Sequence, residues 1–130
     1  MASTEPRLPS STPRGPVLIV EDDADLREMM AQLLTVEGYT VEAAANGHDA
    51  LEFLRSGPLP ALILLDLMMP VMDGWEFWRR QRDDPAIAAV PVVVLSAVDH
   101  TRAAEFGSAA VLKKPLDFDL LLTLVRKHCR

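Results

Sequence analysis

The stretch ALILLDLMMPVMDG, residues 61–74, decides the fold. Its first five residues are an unbroken aliphatic run, the composition of a short strand buried on both faces, as in a parallel sheet. Asp66 follows at once. Open α/β sheets carry their ligand sites at the carboxyl ends of the strands, so an acid at this point is either a turn cap or a functional carboxylate. Pro70, Asp73 and Gly74 then mark a loop that continues neither strand nor helix.

The same pattern recurs on either side. Residues 17–20 are a short β-branched run followed directly by Glu21, Asp22 and Asp23, and from about residue 23 to residue 37 Leu26, Met29, Met30, Leu33 and Leu34 keep helical spacing, with Gly38 placed to end the helix. Residues 39–44 read as a second strand. Asn46 is an N-cap for a helix carrying Ala50, Leu51, Phe53 and Leu54, closed by Ser56, Gly57 and Pro58. After the central loop, residues 74–82 read as a helix with Trp75, Phe77 and Trp78 near its start, the Trp pair serving core packing. Residues 90–95 form a fourth buried strand, with Pro91 tolerated near its beginning, and end in Ser96. A modest helix over residues 99–106, a brief strand over residues 110–113, Lys114-Pro115 and a last helix from Asp117 to about residue 128, with Leu120, Leu121, Leu124 and Val125 at helical intervals, complete the chain. Five strand–helix repeats of this size predict an α/β fold, a doubly wound parallel five-stranded sheet with helices on both faces.

Bulk properties narrow the function. A chain of 130 residues holds one domain with a core, and 49% hydrophobic with 25% charged residues is globular composition. Residues 1–15, rich in Pro, Ser, Thr and Arg, bury too little to offset ordering entropy and are expected to be a disordered leader; residues 16–130 form the domain. The formal net charge of −6 argues against direct nucleic-acid binding. A single cysteine, Cys129, forms no internal disulfide, and neither a bilayer-spanning run nor a secretion signal is present, which leads us to expect a cytoplasmic protein with no membrane contact.

In a parallel sheet all carboxyl ends lie on one edge, so polar residues just past them converge. Here these are Glu21 and Asp22, Asp66, Ser96 and Lys114. Taken singly each has a plainer reading: the three acids at residues 21–23 as a first turn favoured by the helix dipole, Ser96 as a strand-end hydroxyl, Lys114 as a solvated charge. Taken together, three carboxylates in one crevice raise each other's pKa unless a cation shares the site, and Mg²⁺ suits oxygen ligands that leave room for water and phosphate. A hydroxyl and an ammonium at the same point suit the oxygens of a phosphoryl group, which leaves Asp66 as the nucleophile of an acyl phosphate.

With these residues in place, the chain from about residue 16 onward resembles the receiver domain of two-component response regulators. The motifs are VLIVEDD (17–23), LILLDLMMPVMDG (62–74), VVVLSA (92–97) and KP (114–115). The resemblance implies a flavodoxin-like fold with strand order 2-1-3-4-5. It implies Asp66 as phosphoacceptor and Asp22 as direct Mg²⁺ ligand, with Glu21 acting nearby, often through water. Further implied roles are Met68 offering its backbone carbonyl to the ion, Ser96 as the hydroxyl that follows the phosphoryl group, and Lys114 as the ammonium that binds it. A cis Lys114-Pro115 bond is also implied. The donor would be a sensor histidine kinase or a histidine phosphotransfer protein; since only Arg130 follows the last helix, output would be by binding a downstream protein target. Such a module is a phosphoacceptor rather than a conventional enzyme, although it catalyses its own phosphorylation.

Three departures from the family pattern qualify this. Val111 occupies the position where an aromatic side chain usually reports activation, so that switch does not operate in its usual form. The interval from Ser96 to Lys114 is about one helical turn short, which trims the fourth helix and leaves the usual dimer face, and the oligomeric state, undecided. Met68 and Val98 are both apolar and orient no attacking water, which implies slow loss of phosphate. One other functional class stays in view, a scaffold that keeps the fold without phosphorylation; a phosphatase of the haloacid dehalogenase type is set aside, because it would need a second Asp where Met68 stands.

Overall fold

The computed structural model describes residues 15–67, 73–96 and 107–129. Five parallel strands, β1 (Val17–Val20), β2 (Val41–Ala44), β3 (Leu62–Asp66), β4 (Val92–Ser96) and β5 (Ala110–Lys113), form one sheet in the order β2-β1-β3-β4-β5. This is the expected flavodoxin-like order. The register sets Val17 beside both Val41 and Leu62, Asp66 beside Leu95 and Ser96 beside Lys113, so the polar strand ends fall on one edge. Asp66 and Ser96 belong to the strands themselves rather than to the turns after them.

Among the described residues there are four helices, α1 (Ala24–Val36), α2 (Gly47–Ser56), α3 (Gly74–Asp83) and α4 (Phe118–His128). Each begins on a side-chain cap: Asp23, Asn46, Asp73 and Asp117 accept from backbone N–H groups of the first turn. Gly38, with φ +96°, ends α1 in a conformation that L side chains resist. The sheet is covered on both sides. Leu18, Val20, Ile63, Leu65, Val92 and Val94 pack against Ala50, Leu51 and Leu54 of α2 and Phe77 and Trp78 of α3. On the opposite side, Val17, Ile19, Leu62, Leu64, Val93 and Leu95 pack against Met30 and Leu34 of α1 and Leu121, Leu122 and Val125 of α4. Every residue of β1, β3 and β4 is buried, as strands covered on both sides require.

Details of the helix faces differ from the sequence reading. Leu120 is 46% exposed and Leu122 takes the buried place, while Met29 is 53% exposed and lines a shallow apolar groove with Leu33, Val36 and Phe118. In a run such as Leu120-Leu121-Leu122 the spacing alone leaves the helix phase open. Trp78 is core, as expected, and the half-buried Trp75 stacks on it at 5.8 Å. Gln81 is buried on α3 and donates to the carbonyls of Ile87 (2.6 Å) and Val90 (3.3 Å), pinning the approach to β4. Lys114-Pro115 is cis. The leader expected over residues 1–15, apart from Gly15, and the short helix expected over residues 99–106 lie outside the described residues. No helix among the described residues is long and apolar enough to cross a membrane.

Candidate functional site

The β1–α1 loop divides its three acids between different tasks. The Glu21 N–H extends the β1–β2 ladder by donating to Ala44 O at 3.1 Å, which holds the residue over the sheet edge. Glu21 Oε2 accepts from the Asp23 N–H at 3.2 Å, and Oε1 lies 2.9 Å from Lys114 Nζ. Asp23 turns away as the cap of α1, its Oδ1 accepting from the N–H groups of Asp25 and Leu26. Asp22 is exposed, and among the described residues its carboxylate has no hydrogen bond or ion pair. The first-turn reading thus holds for Asp23 and fails for Glu21, whose carboxylate faces the sheet edge.

Asp66 ends β3 with its side chain almost wholly buried, and its Oδ2 lies 3.4 Å from Lys114 Nζ. Lys114 follows β5 and donates its backbone N–H to Ser96 O at 2.6 Å, which ties the ends of β4 and β5 together. Ser96 is itself buried at the end of β4, beside the strand that carries Asp66. One carboxylate oxygen each from Glu21, Asp22 and Asp66 lie within 4.8 Å of one another. Glu21, Asp22, Asp66 and Lys114 are therefore brought to one point. Met68 and Val98 lie outside the described residues, and Val111 packs half-buried against the α2/α3 side of the core.

The electrostatics of the cluster are those of a site short of positive charge. Burial pushes the Glu21 carboxyl up to about 7, the Asp66 charge adds to this, and the Lys114 ion pair and the Asp23 N–H pull the other way. Burial would lower the Lys114 pKa, yet Glu21 and Asp66 outweigh it and hold the ammonium above its usual value. Glu21 Oε1 is buried and, despite its ion pair, is left without a hydrogen bond of good geometry. All three converging acids offer hard oxygen donors at spacings a small divalent ion can bridge, so the residues fit Mg²⁺. A second group, His48, Asp49 and Glu52 on α2, is wholly exposed and already paired within itself at 3.7 and 4.0 Å.

A contact that sequence reasoning missed braces the same loop. Arg27 Nη1 donates to Glu21 O at 2.8 Å and approaches Asp22 O at 3.4 Å.

A family model described as the response regulator receiver domain matches residues 17–126. The chain belongs to that family. The receiver domain is 38% identical over 119 residues to the alkaline phosphatase synthesis transcriptional regulatory protein SphR of Synechococcus elongatus, covering 82% of this chain and 46% of the relative. To the response regulator PleD of Caulobacter vibrioides it is 39% identical over 119 residues, covering 88% of this chain and 26% of PleD. The chain thus spans less than half the length of these two relatives. The solved structure of a response regulator receiver protein from Pseudomonas putida matches with a TM-score of 0.82 at 29% identity, covering 89% of this chain and 98% of that one. Receiver domains are signalling domains that generally bind Mg²⁺.

Proposed function

We propose that this receiver domain takes a phosphoryl group onto Asp66 in a Mg²⁺-dependent transfer from the phosphohistidine of a sensor histidine kinase or histidine phosphotransfer protein, and thereby switches binding of a cytoplasmic protein target. The observation that carries this reading is the meeting of Glu21, Asp22 and Asp66 within 4.8 Å with Lys114 Nζ 3.4 Å from Asp66 Oδ2. An Asp66 carboxylate oxygen attacks phosphorus, an acyl phosphate bond forms, and the bond to the donor nitrogen breaks. Lys114 lies where its ammonium neutralises charge on the incoming phosphoryl oxygens, and Ser96, at the end of the neighbouring strand, is the hydroxyl that follows them once the group is transferred. Glu21 and Asp22, with the backbone carbonyl of Met68, would hold Mg²⁺ beside Asp66. When bound, the ion supplies positive charge that draws donor and acceptor oxygens together. The chain acts as a phosphoacceptor that promotes its own modification, not as a conventional enzyme.

Intact-mass measurement after incubation with Mg²⁺ and acetyl phosphate tests the reading. One phosphoryl adduct is expected on the wild type, lost in Asp66→Asn and abolished by chelator. A folded wild-type chain that acquires no adduct overturns it in favour of an unphosphorylated scaffold.

A further inference from the structure

Arg27 breaks a local rule. It is the fourth residue of α1, near the helix end where the backbone dipole is positive and a cation is disfavoured, and it is surrounded in sequence by Asp22, Asp23, Asp25 and Glu28. A surface arginine in such company is expected to pair with a carboxylate. Among the described residues Arg27 makes no ion pair; its guanidinium folds back over the helix start to main-chain oxygens, Glu21 O at 2.8 Å and Asp22 O at 3.4 Å. Those two carbonyls belong to the two acids of the loop that converge on Asp66.

Bonding to carbonyls rather than carboxylates has a chemical consequence. An arginine paired with Asp22 would compete with a cation for its oxygens, whereas this one leaves the Asp22 carboxylate unpaired while fixing the peptide that carries it. The Asp22 side chain is exposed and has no other tether among the described residues. A ligand on an untethered loop must be ordered when the ion binds, and that entropy weakens binding. We infer that Arg27 is a positioning residue for the divalent-cation site, holding the β1–α1 loop so that the Glu21 and Asp22 carboxylates are presented to the ion before it arrives. The inference rests on reading the acidic cluster as a Mg²⁺ site.

The sign of the effect separates this role from a simple charge effect. A nearby positive charge repels Mg²⁺, so if Arg27 acted only through its charge, removing it would tighten binding. The brace predicts the opposite. The experiment is calorimetric titration of the full chain with MgCl₂, for wild type, Arg27→Met and Arg27→Lys, with thermal unfolding of each without metal. Arg27→Met keeps the length of the side chain and removes its donors; it is expected to weaken Mg²⁺ binding about tenfold, as loss of a group that orients a ligand typically does. Arg27→Lys keeps one donor and should fall between. Acetyl phosphate labelling of Arg27→Met should return to the wild-type rate at saturating Mg²⁺, because the deficit lies in occupancy and not in transfer. Folded Arg27→Met with unchanged or tighter Mg²⁺ binding overturns the inference. If that variant does not fold, Arg27→Lys binding as tightly as the wild type overturns it. A wild type that binds no Mg²⁺ overturns the cation site and the brace together, whereas normal wild-type binding with unaltered variants removes the brace alone.

Discussion

Glu21 is held wholly out of solvent beside Asp66, a second acid that disfavours its charge, and only the Lys114 ion pair and one backbone N–H work in its favour. Its pKa is about 7 in the folded chain against a usual value of 4.5. Between those values the folded state binds more protons than the unfolded state, so Glu21 makes the metal-free protein less stable as pH rises through that window. Thermal unfolding in chelator from pH 5 to pH 8 should therefore show a falling midpoint, and Glu21→Gln should flatten the fall. Added Mg²⁺ should counteract it at the upper end, where the carboxylate is charged and available. The raised pKa of Lys114 acts only in alkali: its contribution is complete below the usual lysine value of 10.5 and is lost as pH climbs through the raised one. Lys114 stands behind Lys113 and is singled out of the two by the family resemblance, which places it before Pro115, whereas the positions of Glu21 and Asp66 were legible in the sequence because each follows an apolar run directly. Arg27 was not, since a side chain bonded to carbonyls five and six residues back leaves no periodic trace.

Elements meet the site through close backbone approaches, and α3 offers the sharpest case. A Cβ built on Gly74 would lie 2.4 Å from Asp66 O and 2.5 Å from the Leu67 Cα, while the Gly74 N–H donates to Leu67 O at 3.0 Å. The start of α3 therefore rests flat on the end of β3, with no room for a side chain. Gly74→Ala is expected to cost about 1–3 kcal/mol through overpacking. Because the atoms displaced belong to Asp66 and its neighbour, acetyl phosphate labelling should slow as well. Gly38→Ala is the matched control: its Cβ would meet nothing within 4 Å, so the φ of +96° alone should cost about 1–2 kcal/mol and leave labelling unchanged. Chemical denaturation and labelling rates on both variants check this, and equal labelling would show that Gly74 is an ordinary turn residue. Sequence reading found Gly74 as a loop marker but not its role, because a glycine required by contact and one required by φ look alike in sequence. Helix positions were legible from Asn46 and Asp117 at the starts of α2 and α4 and from the apolar spacing that Gly38 closes in α1, whereas the phase of α4 was hidden within consecutive leucines.

For the molecule as a whole, the converging groups span residues 21 to 114 and come from the ends of β1, β3 and β5, so they meet only when β1, β3, β4 and β5 are assembled side by side. A cation bound there stabilises the native state against an unfolded chain that has no such site. At a Mg²⁺ concentration of 100 times Kd the gain is about 2.7 kcal/mol, which in a domain of this size raises the melting temperature by on the order of 10 °C. Scanning calorimetry with MgCl₂ against NaCl at matched ionic strength should show this shift in the wild type and not in Asp22→Ala; equal shifts in both would place the ion elsewhere. The parallel sheet was legible from alternating apolar runs and helices, while the strand order came from family resemblance, because periodicity carries no information on which strands are neighbours. That sheet also partitions the interior. A substitution among the α2 and α3 contacts and another among the α1 and α4 contacts share no partner, so their costs should add, whereas two on the same side must compete for the same space. Mutational drift on one side can then be absorbed without compensation on the other, and the strand-end acids are left as the positions answerable to both.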